Sequence, residues 1–165
     1  MNMFEYQKEV KFVREKNALW KYISGKNIID GTEFNVKSLI LKEPIKVGTK
    51  WSYYDNMDKT TKNCSIVDIA GKITINDEEY DNCVVVREIY EQLIPANIKR
   101  TSTGGYVWSG AKEKVTVVIY NFFKPGIGFI AQSSTYIKKG EKIPHYSKVT
   151  DFIFLLEDYE FNSDN

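Results

Sequence analysis

Apolar side chains recur at every second position along most of this chain, in stretches separated by Gly, Pro and Asn/Asp. Period 2 belongs to β-strands, whose successive side chains point to opposite faces of a sheet. Phe4, Tyr6, Val10 and Phe12 alternate with Glu5, Gln7, Glu9 and Lys11, which reads as a first strand. Helix is its rival, because Tyr6, Val10 and Val13 also fit helical spacing. Asn17 to Ser24 and Glu33 to Leu41 read as the next two strands, with a turn at Asp30-Gly31 and a stop at Lys42-Glu43-Pro44. Val47-Gly48-Thr49-Lys50 leads into Trp51-Ser52-Tyr53-Tyr54, which ends at the polar turn Asp55-Asn56-Met57-Asp58. Thr60 to Ile75 and Tyr80 to Leu93 make a hairpin turning near Asn76-Asp77-Glu78. Pro95 and Asn97 break the next connection, and Gly104-Gly105 precedes a short strand, Tyr106-Val107-Trp108. Val115 to Phe123 and Ile127 to Ile137 flank Lys124-Pro125-Gly126, a type II turn in which Pro sets φ and Gly takes φ > 0. A loop at 138–142 precedes a last strand, Lys148 to Phe161, and a frayed tail at 161–165.

These stretches amount to about ten antiparallel strands, with at most one or two short helices. With 165 residues, the chain reads as a single mainly β domain spanning residues 1–165. Val115 to Tyr120 and Phe152 to Leu156 are apolar on both parities, the pattern of strands covered on both faces. A strongly curled antiparallel sheet or a β-barrel-like architecture, wrapped over a helix or long loop, satisfies that coverage and hides the edges.

Composition narrows the function classes. Lys and Arg number 23 against 22 Asp and Glu, a net charge of +1, which argues against a strongly basic nucleic-acid binder. A single His leaves little room for imidazole-based metal or acid–base sites. No apolar run is long enough for a transmembrane helix, and Met1 to Lys8 lacks the basic and apolar regions of a signal peptide. Cys64 and Cys83 are too few for a disulfide scaffold. In a hairpin centred near residue 77, Cys64 faces Tyr90 and Cys83 faces Gly71, so free buried thiols are expected.

No motif outweighs a structural explanation of the same residues. Gly126-Ile127-Gly128-Phe129-Ile130-Ala131 matches a dinucleotide fingerprint, but Gln132 to Ile137 reads as strand where that motif needs a helix. His145 lies in a loop, with no nucleophile motif around it and no second His. The acidic runs Asp77-Glu78-Glu79-Asp81 and Glu157-Asp158-Glu160 lack the register of a calcium loop. Asp68, Glu88 and Glu113 could form a glycosidase-type pair only if the fold brings two of them together. Aromatics stand beside basic residues at Lys50 to Tyr54 and Tyr120 to Lys124, a nucleic-acid-like pattern without the positive groove that it needs. Core packing accounts for most large aromatics, and Trp51, Tyr53, Trp108 and Phe122 are the candidates for an aromatic binding surface. No catalytic residue, metal site or cofactor is assigned.

Three segments carry a resemblance. Leu39-Ile40-Leu41-Lys42-Glu43-Pro44-Ile45-Lys46-Val47-Gly48-Thr49-Lys50-Trp51, then Tyr80-Asp81-Asn82-Cys83-Val84-Val85-Val86, then Phe123-Lys124-Pro125-Gly126-Ile127-Gly128-Phe129-Ile130 follow in order along the chain. Together, over roughly residues 33–160, they resemble a β-rich domain of lipoproteins from low-GC Gram-positive bacteria. The richness in Lys, Ile, Asn and Tyr suits such a genome. The resemblance implies a non-enzymatic module of a bacterial envelope or secreted protein that binds a protein partner or an apolar ligand. It favours an extracytoplasmic location over a cytoplasmic one. The alternatives are a stand-alone cytoplasmic binding protein of the immunity or inhibitor type, and a carboxylate-based hydrolase.

Overall fold

The computed structural model describes residues 6–27, 31–100 and 106–155. Among the described residues the alternating stretches become nine strands: β1 (Tyr6–Glu15), β2 (Ala18–Asn27), β3 (Glu33–Lys42), β4 (Lys50–Asp55), β5 (Thr60–Ile75), β6 (Glu78–Arg100), β7 (Tyr106–Lys124), β8 (Gly128–Ile137) and β9 (Phe152–Leu155). Within each sheet, strands consecutive in sequence pair antiparallel. β1-β2-β3 form a three-stranded sheet and β4 to β9 a six-stranded one, both in simple up-and-down order. The described residues contain no α-helix, only a 3-10 turn at Tyr146–Lys148. The ambiguous first segment is a strand, paired with β2 from Tyr6↔Asn27 to Glu15↔Ala18.

The barrel-like expectation is corrected: neither sheet closes or curls strongly. Coverage comes from layers instead. On one face of the six-stranded sheet, Trp51, Cys64, Ile66, Val84, Val86, Phe123 and Phe129 pack with Leu39 and Ile40 of the small sheet. On the other face, Ile73, Cys83, Val85, Val118, Phe122 and Ile130 lie beneath Tyr146 and Val149, from the segment that follows β8. Cys83, Val84, Val85 and Val86 therefore serve two cores alternately, which is why β6 is apolar on both parities.

The β5–β6 hairpin turns through Asn76 and Asp77, at φ 48° and 65°, the conformation of a two-residue type I′ turn. Irregularities between Ile66 and Ile73 shift its register, so Cys64 lies opposite Glu88 and not Tyr90, while Cys83 does face Gly71. Both thiols are free and buried, one in each core. A methyl group on Gly71 would stand 2.6 Å from Val85 Cγ2, so only glycine lets the strands approach here. Beside it, the Tyr146 hydroxyl donates to Asp68 Oδ2 at 2.7 Å and ties the covering segment to β5.

The break expected at Pro95 and Asn97 is absent, because β6 runs through both. β5 pairs with β6 only as far as Asn63↔Ile89, and β8 meets β7 only from Thr116↔Ile137, yet β6 and β7 pair on to Arg100↔Tyr106. Beyond the body of the sheet they form a two-stranded ribbon. Pro95 occupies a free edge there, the setting in which a strand tolerates proline. A register shift between Pro95 and Asn97 absorbs the irregularity. The last strand starts later than expected, since Lys148 belongs to the 3-10 turn and β9 begins at Phe152. Gly104-Gly105 and residues 156–165, including the tail at 161–165, lie outside the described residues.

Candidate functional site

The two sheets leave a cavity of about 350 Å³ between them. Ile23, Phe34, Val36 and Ile40 of the small sheet supply its apolar wall, with Ile119 of β7 and Met57 of the β4–β5 turn. Its polar lining includes Lys21, Tyr53, Asp55, Asp58, Lys62 and Glu88. Strand phase puts these groups inside. Tyr53 and Asp55 follow Trp51 at two-residue steps on β4, Lys62 precedes Cys64 and Ile66 on β5, and Glu88 follows Val84 and Val86 on β6.

Lys62 is the hub. Its ammonium lies 2.8 Å from Asp55 Oδ2, 2.8 Å from Asp58 Oδ2 and 3.8 Å from Glu88 Oε1. It also sits 4.5 Å above the Tyr90 ring. Asp55 is held in turn by the N–H groups of Met57 and Asp58, at 2.8 and 3.2 Å, which fold the turn around it. Glu88, only 3% exposed, accepts from the Tyr53 hydroxyl at 2.8 Å. The Cys64 thiol is 3.9 Å from the same carboxylate oxygen.

Burial governs protonation here. It pushes the Glu88 carboxyl up, against the opposing pull of Lys62 and Tyr53. It also raises the Tyr53 phenol and the Cys64 thiol, and the nearby Glu88 charge adds to both. For Lys62, burial acts downward, but Asp55 and Asp58 hold the ammonium above its ordinary value. Burial likewise acts upward on Asp55, and Lys62 outweighs it, leaving that carboxyl below its usual range. A thiol so raised is a poor nucleophile.

The four aromatic candidates do not share one surface. Trp51 is buried between the sheets, its Nε1–H donating to the Leu39 carbonyl at 2.9 Å, and Tyr53 enters the cavity. Phe122 is buried in the opposite core. Trp108 belongs to the ribbon, opposite Ile98, and its side chain lies outside the described residues. The other aromatics beside Lys124 point inward too: Tyr120 donates to the Pro144 carbonyl at 2.6 Å and Phe123 packs edge-on against Phe129.

Of the three strand acids, only Glu88 lies in the cavity. Asp68 is on the other face with Tyr146, and Glu113 pairs with Lys138 at 3.3 Å beside the ribbon. Asp77, Glu78, Glu79 and Asp81 are exposed at or next to the β5–β6 turn, and 157–160 lie outside the described residues. Among the described residues, no group of three or more His, Cys, Asp or Glu is arranged to hold a metal ion. Gly126 and Gly128 form a turn that enters a strand, so no helix end faces a phosphate there. His145 Nδ1 accepts from the Ser147 N–H at 3.3 Å and lies 2.8 Å from Ser147 Oγ, capping the 3-10 turn. Asp68, the carboxylate nearby, is occupied by Tyr146 and the Ala70 N–H.

Lys21, Asp55, Asp58 and Lys62 are not marked as site residues by any motif in the sequence. The usable signal was charge on the inward parity: Lys62 in step with Cys64 and Ile66, and Glu88 in step with Val84 and Val86. Compared with family models, curated proteins and solved structures, the chain shows no significant match to any of them.

Proposed function

We propose that this chain is a non-enzymatic binding module of the envelope or secreted type implied by its sequence resemblance, and that it holds a small, largely apolar ligand between its sheets. The cavity is the observation that supports this reading. About 350 Å³ stays open between the sheets as a half-enclosed cleft beside an aliphatic wall. That volume falls within the range of small-ligand sites, roughly 300–1,000 Å³. Native mass spectrometry of protein purified without detergent tests it, with octanol added as a probe. A retained ligand or octanol mass is expected, and it should be lost in Val36→Phe, which fills the cavity. Absence of any retained mass on the unaltered chain overturns the reading.

One observation favours a second reading, a carboxylate-based hydrolase: Asp55 and Glu88 both approach the Lys62 ammonium, at 2.8 and 3.8 Å. That ammonium also weakens it, because it neutralises the carboxylates where paired catalytic acids need space for substrate. A panel of aryl glycosides is expected to show no turnover. Turnover abolished by Glu88→Gln would replace the binding reading.

A further inference from the structure

Building on the ligand site read above, we propose that the cavity selects a ligand with a cationic head, a primary ammonium on an apolar body, seated against Glu88. The lining carries three carboxyl groups, Asp55, Asp58 and Glu88, and two ammonium groups, Lys21 and Lys62. Its net charge is therefore zero when Glu88 is protonated and negative when it is ionised; an anionic head never meets a positive site. Lys62 is already engaged by Asp55 and Asp58, both at 2.8 Å.

Glu88 is placed differently. Tyr53 holds its Oε2, whereas Oε1 stands 3.8 Å from Lys62, too far for a hydrogen bond. An ammonium from the ligand can donate to Oε1, and a charge-assisted bond of this kind is among the stronger hydrogen bonds. It adds to the pull that Lys62 and Lys21 already exert on this carboxylate, with the direct hydrogen bond that the 3.8 Å separation from Lys62 does not provide. The aliphatic wall of Val36, Ile40 and Ile119 then covers the ligand's apolar body.

Titration calorimetry of the full chain at neutral pH, with octylammonium, octanol and octanoate as probes, tests the inference. Octylammonium is expected to bind at least about tenfold more tightly than octanol, with octanoate weakest. Glu88→Gln keeps an acceptor for Tyr53, and it should reduce octylammonium to the octanol value. Octanoate binding as tightly as octylammonium, or a preference unchanged in Glu88→Gln, overturns the inference. Octanol binding without any preference for the ammonium also overturns it while leaving the cavity reading intact, and failure of all three probes removes both. The ranking on the unaltered chain decides the outcome even where the variant does not fold.

Discussion

The Tyr53 hydroxyl on β4 donates to Glu88 Oε2 on β6 at 2.8 Å, although β5 runs between the two strands. Trp51, Cys64 and Glu88 form one row across the three strands, and Tyr53 and Lys62 the next, so the bond is a diagonal across two rows. It locks the polar end of the cavity onto the large sheet. Tyr53→Phe should lower unfolding stability by about 1–3 kcal/mol, the cost of leaving a buried acceptor without its donor, as read from urea denaturation.

Lys62 carries a larger share. Its loss in Lys62→Met leaves Asp55 and Glu88 buried without their cation. The expected destabilisation is about 3–5 kcal/mol. A change under about 1 kcal/mol would mean that the network behaves as an exposed ion pair does.

Stability should fall toward both ends of the pH range. Burial raises Glu88, so the folded chain keeps a proton that the unfolded chain loses above its ordinary value of 4.5. Because the folded state then binds more protons, stability declines as pH rises from there through the folded value, with a slope of at most about 1.4 kcal/mol per pH unit. Asp55 and Asp68 act in the opposite sense. Hydrogen bonds from Lys62 to the first and from the Ala70 N–H to the second hold them low, so stability is lost as pH falls below 3.8. Urea midpoints measured against pH, with Glu88→Gln flattening the upper limb, check both signs.

Neither thiol should react with an aromatic disulfide reagent in the folded protein. Both are buried, and burial raises both. Full labelling is expected only after denaturant is added.

The second core is expected to be intolerant of truncation and of crowding alike. Phe122, 1% exposed, should cost about 3–5 kcal/mol as Phe122→Ala. Gly71→Ala forces a methyl group against Val85 and the Cys83 carbonyl and should cost about 1–3 kcal/mol. Thermal unfolding measures both.

Hydrogen exchange should divide β6 in two. Amides of Val84 to Ile89 lie in the six-stranded body, whereas those from Leu93 onward pair only with β7. A two-stranded ribbon is marginally stable in water, so the distal amides should exchange orders of magnitude faster.

Much of the strand order was legible, because period 2 and local turn chemistry act between near neighbours. Asn76-Asp77 and Pro125-Gly126 specify their turns with little help from the rest of the chain, and a meander needs only such local pairings. The errors came where context decides. Pro95 breaks a central strand but is accepted on an edge, and nothing near Pro95 shows that β5 ends its pairing at Ile89. The shift of Cys64 from Tyr90 to Glu88 arose from register irregularities between Ile66 and Ile73, which no local turn signal in the sequence marks.

By itself, then, the sequence determined that the chain is antiparallel β, and that its central strands are buried on both faces, since alternation and two-parity apolar runs are one-dimensional patterns. Only the tertiary structure decided that two open sheets and a covering segment provide that burial, and not a curled barrel. It also decided that Asp55, Lys62 and Glu88, up to 33 positions apart in the chain, meet in one cavity. The physical reason is the same in both cases. Which layer lies over a strand, and which charges share a low-dielectric space, are set by contacts distant in sequence.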